Sequence, residues 1–269
     1  MRKSYVLLVI GLALLLIAAP VMAQKKVQKA QKVASYDANN VHLFQSYFYD
    51  APITKMGYGQ GGLKFSDFEF SNSFRIGVMG GYPINDKIEA GAELHYINIS
   101  PDEGDGQSGI SDLGVFGRYN LYDQNKTNLS VGAMATLPIG EEKIGQSKLN
   151  FGAFGAVRHG LNNNMMLVGT IGLMFFEKTE FEFNPNTFKV DEKTSYDNYL
   201  NLGFGAIYQV NSQLNIVGEL SMQTEFDYMM LSGGADYKLS SGHLRGALGI
   251  GLDDGAPDLM LMGGYQMAF

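Results

Sequence analysis

The sequence contains no cysteine in its 269 residues. This absence excludes disulfide bonds, thiolate metal sites, a lipid-modified N-terminal cysteine and cysteine-based catalysis. Charged side chains are also scarce, at 17% of the chain, and the formal net charge is −7. Nucleic-acid binding needs a concentrated basic surface, so an acidic chain of this kind is not expected to bind nucleic acid.

Only one long apolar run is present, and it lies at the N-terminus. Residues 1–23 start with Arg2 and Lys3, continue as an apolar segment and end in the small-residue sequence VMA. This order predicts a secretory signal peptide, whereas an uncleaved anchor would need a longer apolar run. The basic sequence over 24–36 predicts a periplasmic N-terminal tail. The alternative for this tail is a short helix that enters and plugs a lumen.

Beyond the signal peptide there is no run of 18 apolar residues, so the remaining way to cross a membrane is a closed β-barrel. Apolar and polar residues alternate with a period of two in about twelve segments, which indicates strands with one apolar face. We therefore predict an all-β fold, a transmembrane antiparallel β-barrel of the outer-membrane type with about twelve strands, over residues 37–269. Its first strand, near 41–49, is the least regular, and the second runs over 68–84.

Connection lengths and aromatic residues support the same fold. Short turns alternate with mostly longer polar loops, as in outer-membrane barrels with short periplasmic turns. Aromatic residues of outward parity gather at the predicted periplasmic strand ends, where a membrane interface favours them; these are Tyr82, Tyr119, Tyr208, Tyr237, Tyr265 and Phe269. The alternating end of the chain, with Tyr265, Met267 and Phe269 on the lipid-facing side, predicts a signal for the barrel-assembly machinery.

Function in a barrel resides in its lumen and loops, so inward parity selects the candidate residues. The polar set is Arg75, Glu89, Glu93, His95, Asp112, Arg118, Arg158, Glu219, Asp236, Lys238, His243 and Arg245. Pairing of the second and third strands through the turn at 83–86 predicts Arg75 opposite His95 and diagonal to Glu93. Such charges either stiffen the lumen as ion pairs or form a constriction that selects charged solutes.

A second inward set is apolar, which a water-filled general porin does not need. It comprises Met79, Phe116, Met134, Phe154, Met166, Met174 and Phe176, together with Met230, Met260 and Met262. These side chains either line a path for apolar solutes or fill a narrow barrel. The four histidines lack metal-ligand spacing, and no phosphate-binding loop follows a strand, so we predict no metal, no cofactor and no catalytic residues.

Two short stretches resemble a known family. In GISDLGVFGRYNLY, residues 109–122, the matching positions are Gly109, Asp112, Leu113, Arg118 and Tyr119; in ATLPIG, residues 135–140, they are Leu137, Pro138 and Gly140. Both resemble the outer-membrane barrel transporters of the meta-cleavage pathway for phenol degradation, although Ile139 replaces the family's usual threonine. The resemblance implies a channel or uptake protein for hydrophobic or aromatic compounds, with no catalytic residues.

The sequence thus predicts a channel in the outer membrane of a Gram-negative-type bacterium that passes small solutes, in contact with outer-membrane lipid and lipopolysaccharide. The second hypothesis is a closed structural or surface barrel whose acidic loops bind a partner or lipopolysaccharide. These loop acids are Asp102, Glu103 and Asp105, and Asp253, Asp254 and Asp258. A third is a lipid-acting enzyme, which would need a nucleophile and an orienting partner beside a histidine such as His95 or His159.

Overall fold

The computed structural model describes residues 50–145, 148–184 and 189–269. No helix in these three ranges is long and apolar enough to cross a membrane. They contain thirteen strands: β1 Tyr58–Phe68, β2 Ser71–Asn85, β3 Ile88–Pro101, β4 Gln107–Ile110, β5 Leu113–Gln124, β6 Thr127–Leu137, β7 Asn150–Gly160, β8 Met165–Asn184, β9 Lys189–Gln209, β10 Leu214–Gln223, β11 Tyr228–Lys238, β12 His243–Gly251 and β13 Leu259–Ala268.

The strands form one closed antiparallel barrel. Consecutive wall strands pair with each other, and β1 also pairs with β13, which closes the sheet. The short strand β4 pairs only with β3 and lies within a loop, so the wall has twelve strands. The predicted all-β, twelve-stranded antiparallel barrel is therefore confirmed.

The first strand of the wall is β1, which the sequence pattern did not reveal. Its outward positions include two glycines, and only Leu63 and Phe65 are large and apolar, so its alternation is weak. The predicted first strand at 41–49 lies outside the described residues, as does residue 37, where the barrel was predicted to begin. The predicted second strand over 68–84 corresponds to β2.

The pairing predicted between β2 and β3 was wrong by two residues. Arg75 lies opposite Ile97, whereas His95 faces a glycine and is therefore diagonal to Arg75. The turn closes at 86–87, further along the chain than the sequence suggests, and the register also shifts by one residue at an irregularity between Pro83 and Asn85.

The two ends of the barrel differ, and we name them by their connections. At the turn end, where β1 begins and β13 ends, the connections are short: 86–87, 125–126, 161–164, 210–213 and 239–242. The opposite, loop end carries 102–112 and 138–149 and the long β8 and β9 strands. The outer surface exposes apolar side chains along the wall, and Tyr82, Tyr119, Tyr237 and Phe269 are exposed near the turn end.

Candidate functional site

Residues 50–54 lie inside the barrel at the turn end, before β1, whereas Lys55 and Met56, which follow them, are exposed. Asp50, Ala51, Ile53 and Thr54 are all buried, and they contact inward side chains of β3, β5, β6 and β7. We call this segment the N-terminal plug. It has no strand pairing of its own, so side-chain contacts hold it within the wall.

Glu89 is the first anchor of the plug. Its carboxylate accepts hydrogen bonds from the Thr54 backbone N–H at 2.9 Å and from the Thr54 hydroxyl at 2.7 Å. Arg118 forms an ion pair with the other carboxylate oxygen at 2.7 Å, and the Tyr58 hydroxyl donates to it at 3.3 Å. Because Glu89 is fully buried, these partners offset the cost of removing its charge from water.

Asp50 is the second anchor. Its carboxylate forms an ion pair with Arg158 on β7, whose Nε donates a hydrogen bond at 3.0 Å. Arg118 also donates to the Asp50 carbonyl, and the Ser130 hydroxyl donates to the carbonyl of Ala51. Four strands of the wall thus present polar groups to the plug, and both arginines are buried among them.

The wall across the interior carries a separate polar cluster. Asp236 on β11 bonds His243 at 2.7 Å and lies 3.1 Å from Arg245 Nε, and Arg245 reaches Gln60 on β1 at 2.9 Å. Glu219 is also buried, whereas Lys238, which was predicted to face inward, is exposed at the turn end. These groups pair with one another within the wall, which stiffens it.

The predicted apolar residues fall into several groups inside the barrel. Phe154 is buried against Ala51 of the plug, with Met134 packed beside them. Met166 and Met262 pack on a buried cluster of β8 to β12 side chains. Met230 and Met260 pack against Ala256 of the loop between β12 and β13. Met79 is half-buried.

A cavity of about 140 Å³ lies between β3 and β9. Its side chains include Phe116, Met134, Met174 and Tyr199, with Glu93, Thr136 and Asn201 as the polar members. Asn201 is buried, and its Oδ1 has no hydrogen-bond partner among the described residues. Phe176, Tyr199 and Phe226 form an aromatic cluster with ring centroids 4.9–5.7 Å apart. A hydrogen-bond donor on a bound solute would find an acceptor there, beside apolar side chains.

Asp112 anchors a loop and does not lie on a strand of the barrel wall. Its Oδ1 accepts a hydrogen bond from the Gly140 backbone N–H at 2.9 Å. A Cβ on Gly140 would come within 2.6 Å of the Asp112 nitrogen, and one on Gly109 within 2.6 Å of the Glu141 carboxyl carbon. The two halves of the family-like motif therefore pack on each other, between the start of β5 and loop 138–149.

The acidic loop residues and the histidines do not form a metal site. Within the described ranges, no three His, Asp or Glu side chains are grouped to hold a metal ion. His159 contacts the Thr127 hydroxyl at 2.8 Å on the exposed turn end.

Several residues of this interior were absent from the sequence prediction. Asp50 and Thr54 precede the first strand and follow no periodic pattern, so the sequence carried no signal for their burial. Lys64, by contrast, is at an inward position of the overlooked strand β1, and Tyr199 and Asn201 are inward on β9. The period of two would identify these three once the strands are known.

The fold is similar to solved outer-membrane barrels. The COG4313 outer membrane channel from Pseudomonas putida F1 superimposes with a TM-score of 0.64 at 13% identity, covering 85% of this chain and 100% of that one. The KdgM porin in complex with disordered oligogalacturonate gives 0.52 at 11% identity, covering 79% and 99%. No protein-family model and no curated protein matches this sequence. At these identities the similarity establishes the fold.

Proposed function

We propose that this protein is an outer-membrane channel for small solutes with an apolar or aromatic body, and that the N-terminal plug closes it at the turn end. The presence of the plug is the main support for this proposal. A barrel that serves only as a scaffold can fill its interior with wall side chains. Here a separate segment, outside the strand pairing, occupies the interior through hydrogen bonds and ion pairs.

The surface of the barrel supports a membrane location. Exposed outward residues such as Ile76, Val78, Ile171 and Phe204 make the wall apolar, and tyrosines lie near the turn end. The structural relative from Pseudomonas putida F1 is described as an outer membrane channel. We extend that role to this chain, in contact with outer-membrane lipid and lipopolysaccharide and without catalysis.

The side chains of the interior support the proposal that the solute has an apolar or aromatic body. Phe116, Met134 and Met174 contribute apolar surface to the cavity, and methionine adapts to solutes of varied shape. An apolar cavity of about 150 Å³ accommodates a benzene ring, so the volume here suits a single ring. The aromatic cluster of Phe176, Tyr199 and Phe226 shares Tyr199 with the cavity, which offers the same solute a stacking surface.

Uptake of phenylalanine into lipid vesicles tests the proposal, because this zwitterion has an aromatic ring and crosses bilayers slowly. Vesicles that contain the chain from residue 24 are compared with protein-free vesicles and with vesicles that contain the chain from residue 57, which lacks the plug. We expect uptake with the plug present and faster uptake without it. No uptake above the protein-free level in either form would refute a channel and favour the closed structural barrel.

A further inference from the structure

Two cationic side chains face each other on the inner surface of the barrel. Lys64 on β1 lies directly opposite Arg75 on β2, and both are at inward positions. Like charges in this arrangement repel and destabilise a strand pair. The fold therefore has no structural reason to prefer the pair, and an anion between the two side chains would relieve the repulsion.

Among the residues that the structure describes, a single carboxylate interacts with these cations. Glu93 on β3 interacts electrostatically with both Lys64 and Arg75. However, neither cation comes within ion-pair distance of a carboxylate in the ranges that the structure describes. Counted with their formal charges, Lys64, Arg75 and Glu93 together carry +1.

This basic group borders the apolar cavity through Glu93, which is one of the cavity's lining residues. The lining also includes Phe116, Met134 and Met174, and the buried amide of Asn201 lies on β9, the strand paired with that of Met174. One region thus combines space for a ring, an amide whose oxygen is unpartnered, and a positive charge without a direct counter-ion. An apolar solute with a single negative group would complement the space and the positive charge.

We propose that Lys64 and Arg75 form a binding site for the anionic group of a small aromatic solute, a carboxylate or sulfonate whose ring occupies the cavity lined by Phe116, Met134 and Met174. This inference rests on the proposed channel function and names the charge of its solute. An amine bound to Glu93 is the competing interpretation. The geometry disfavours it, because two cations already offset the Glu93 charge.

Three probes that share a phenyl ring and cross bilayers slowly separate these possibilities: benzenesulfonate, phenylalanine and benzyltrimethylammonium. Uptake into vesicles and equilibrium dialysis against the purified chain from residue 24 give two independent measurements. We expect benzenesulfonate to exceed benzyltrimethylammonium in both. Lys64→Met and Arg75→Met should each reduce the benzenesulfonate signal by about tenfold, as expected for the loss of one close charge in a partly buried site. Lys64→Arg should retain it.

Lys87→Met is the matched control, because it removes an exposed lysine in the turn at 86–87. Phenylalanine uptake should stay unchanged in Lys87→Met, and heat-modifiable migration on gels should show that all four variants assemble. Equal transport and binding of the two charged probes, or an anion preference that survives both methionine substitutions, would overturn the site. A cation preference that Glu93→Gln abolishes would show that the cavity binds amines. If phenylalanine itself is excluded with and without the plug, the channel proposal fails instead, and dialysis alone then decides whether the anion binds.

Discussion

The Thr54 hydroxyl donates a hydrogen bond to the Glu89 carboxylate at 2.7 Å and so ties the N-terminal plug to strand β3. A hydrogen bond to a charged group contributes about 1.5 kcal/mol, or roughly a tenfold change in an equilibrium. Thr54→Val removes this bond and keeps the side-chain shape. We expect about tenfold more frequent openings in single-channel recordings, because the plug leaves the interior more easily.

Thr54→Ser is the control for this first prediction, since it retains a hydroxyl and the backbone bond to Glu89. It should behave like the parent chain. An opening frequency that Thr54→Val leaves unchanged would show that this bond does not hold the plug in place.

The effects of removing Asp50 and of removing Arg158 should not be additive, because the two side chains form one ion pair. Removing one partner of a buried pair leaves the other charge uncompensated, at a cost of about 3–5 kcal/mol. We therefore expect Asp50→Asn and Arg158→Met each to open the channel strongly. The double variant should open no more than either single one, and an additive effect in the recordings would contradict the pairing.

Lys148→Met provides the comparison for this pair. It removes an ion pair with Glu177 at 3.1 Å, but this pair is partly exposed at the loop end. Exposed ion pairs contribute about 0–1 kcal/mol, so its recordings should match those of the parent chain.

The sequence was sufficient to predict the wall of the barrel, but not to predict which segment fills its interior. Alternation places Glu89, Arg118 and Arg158 on the inner face because a strand's side chains point to opposite sides. It does not predict that Asp50 and Thr54 enter the barrel, because the segment before β1 has no periodicity and is anchored by residues distant in sequence. Its partners on β3 and β7 come together only when the sheet closes.

The sequence also did not predict the register in which β2 and β3 pair. The turn residues between β2 and β3 suggested that Arg75 lies opposite His95, but the turn closes further along the chain and an irregularity follows between Pro83 and Asn85, so Arg75 lies opposite Ile97. A bulge depends on local backbone geometry that alternation does not encode. The pair of Lys64 and Arg75 could not be predicted for another reason, because it requires the overlooked strand β1 in register with β2.

Asp112 should determine how firmly loop 138–149 is attached. Asp112→Ala removes the acceptor of the Gly140 N–H, and the loop then loses an anchor at the start of β5. We expect trypsin to cleave after the exposed Lys143 about tenfold faster, in line with the loss of about 1.5 kcal/mol of local stability. Mass spectrometry of the fragments measures the rate. Asp105→Ala, an exposed acid in another loop, should leave it unchanged, and equal rates in all three proteins would contradict the anchor.

A charged side chain at the position of Met174 should reduce transport. It is buried and lines the cavity, so Met174→Arg would place a cation where an aromatic ring is proposed to pass. We expect phenylalanine uptake to fall by about tenfold, because the arginine brings its hydration into an apolar space. Met174→Leu retains the apolar lining and should retain uptake. If the arginine variant transports phenylalanine as well as the leucine variant does, the solute does not use this cavity.

Phe269 should matter for assembly of the barrel. Its N–H donates to the Gly57 carbonyl at 2.8 Å, and a Cβ on Gly57 would lie 2.8 Å from its ring. We predict that Phe269, with Tyr265 and Met267, is recognised by the barrel-assembly machinery. Phe269→Ala should therefore lower the assembled fraction several-fold, as judged by heat-modifiable migration on gels. Phe70→Ala, an exposed aromatic at the loop end, is the control and should assemble normally.

Single-channel conductance in a planar bilayer tests most directly whether the N-terminal plug closes a channel. The chain from residue 24 is compared with the chain from residue 57, each folded and shown to be assembled. We predict brief or small openings with the plug present and steady, larger openings without it. Identical conductance in the two forms, or silence in both, would contradict the account.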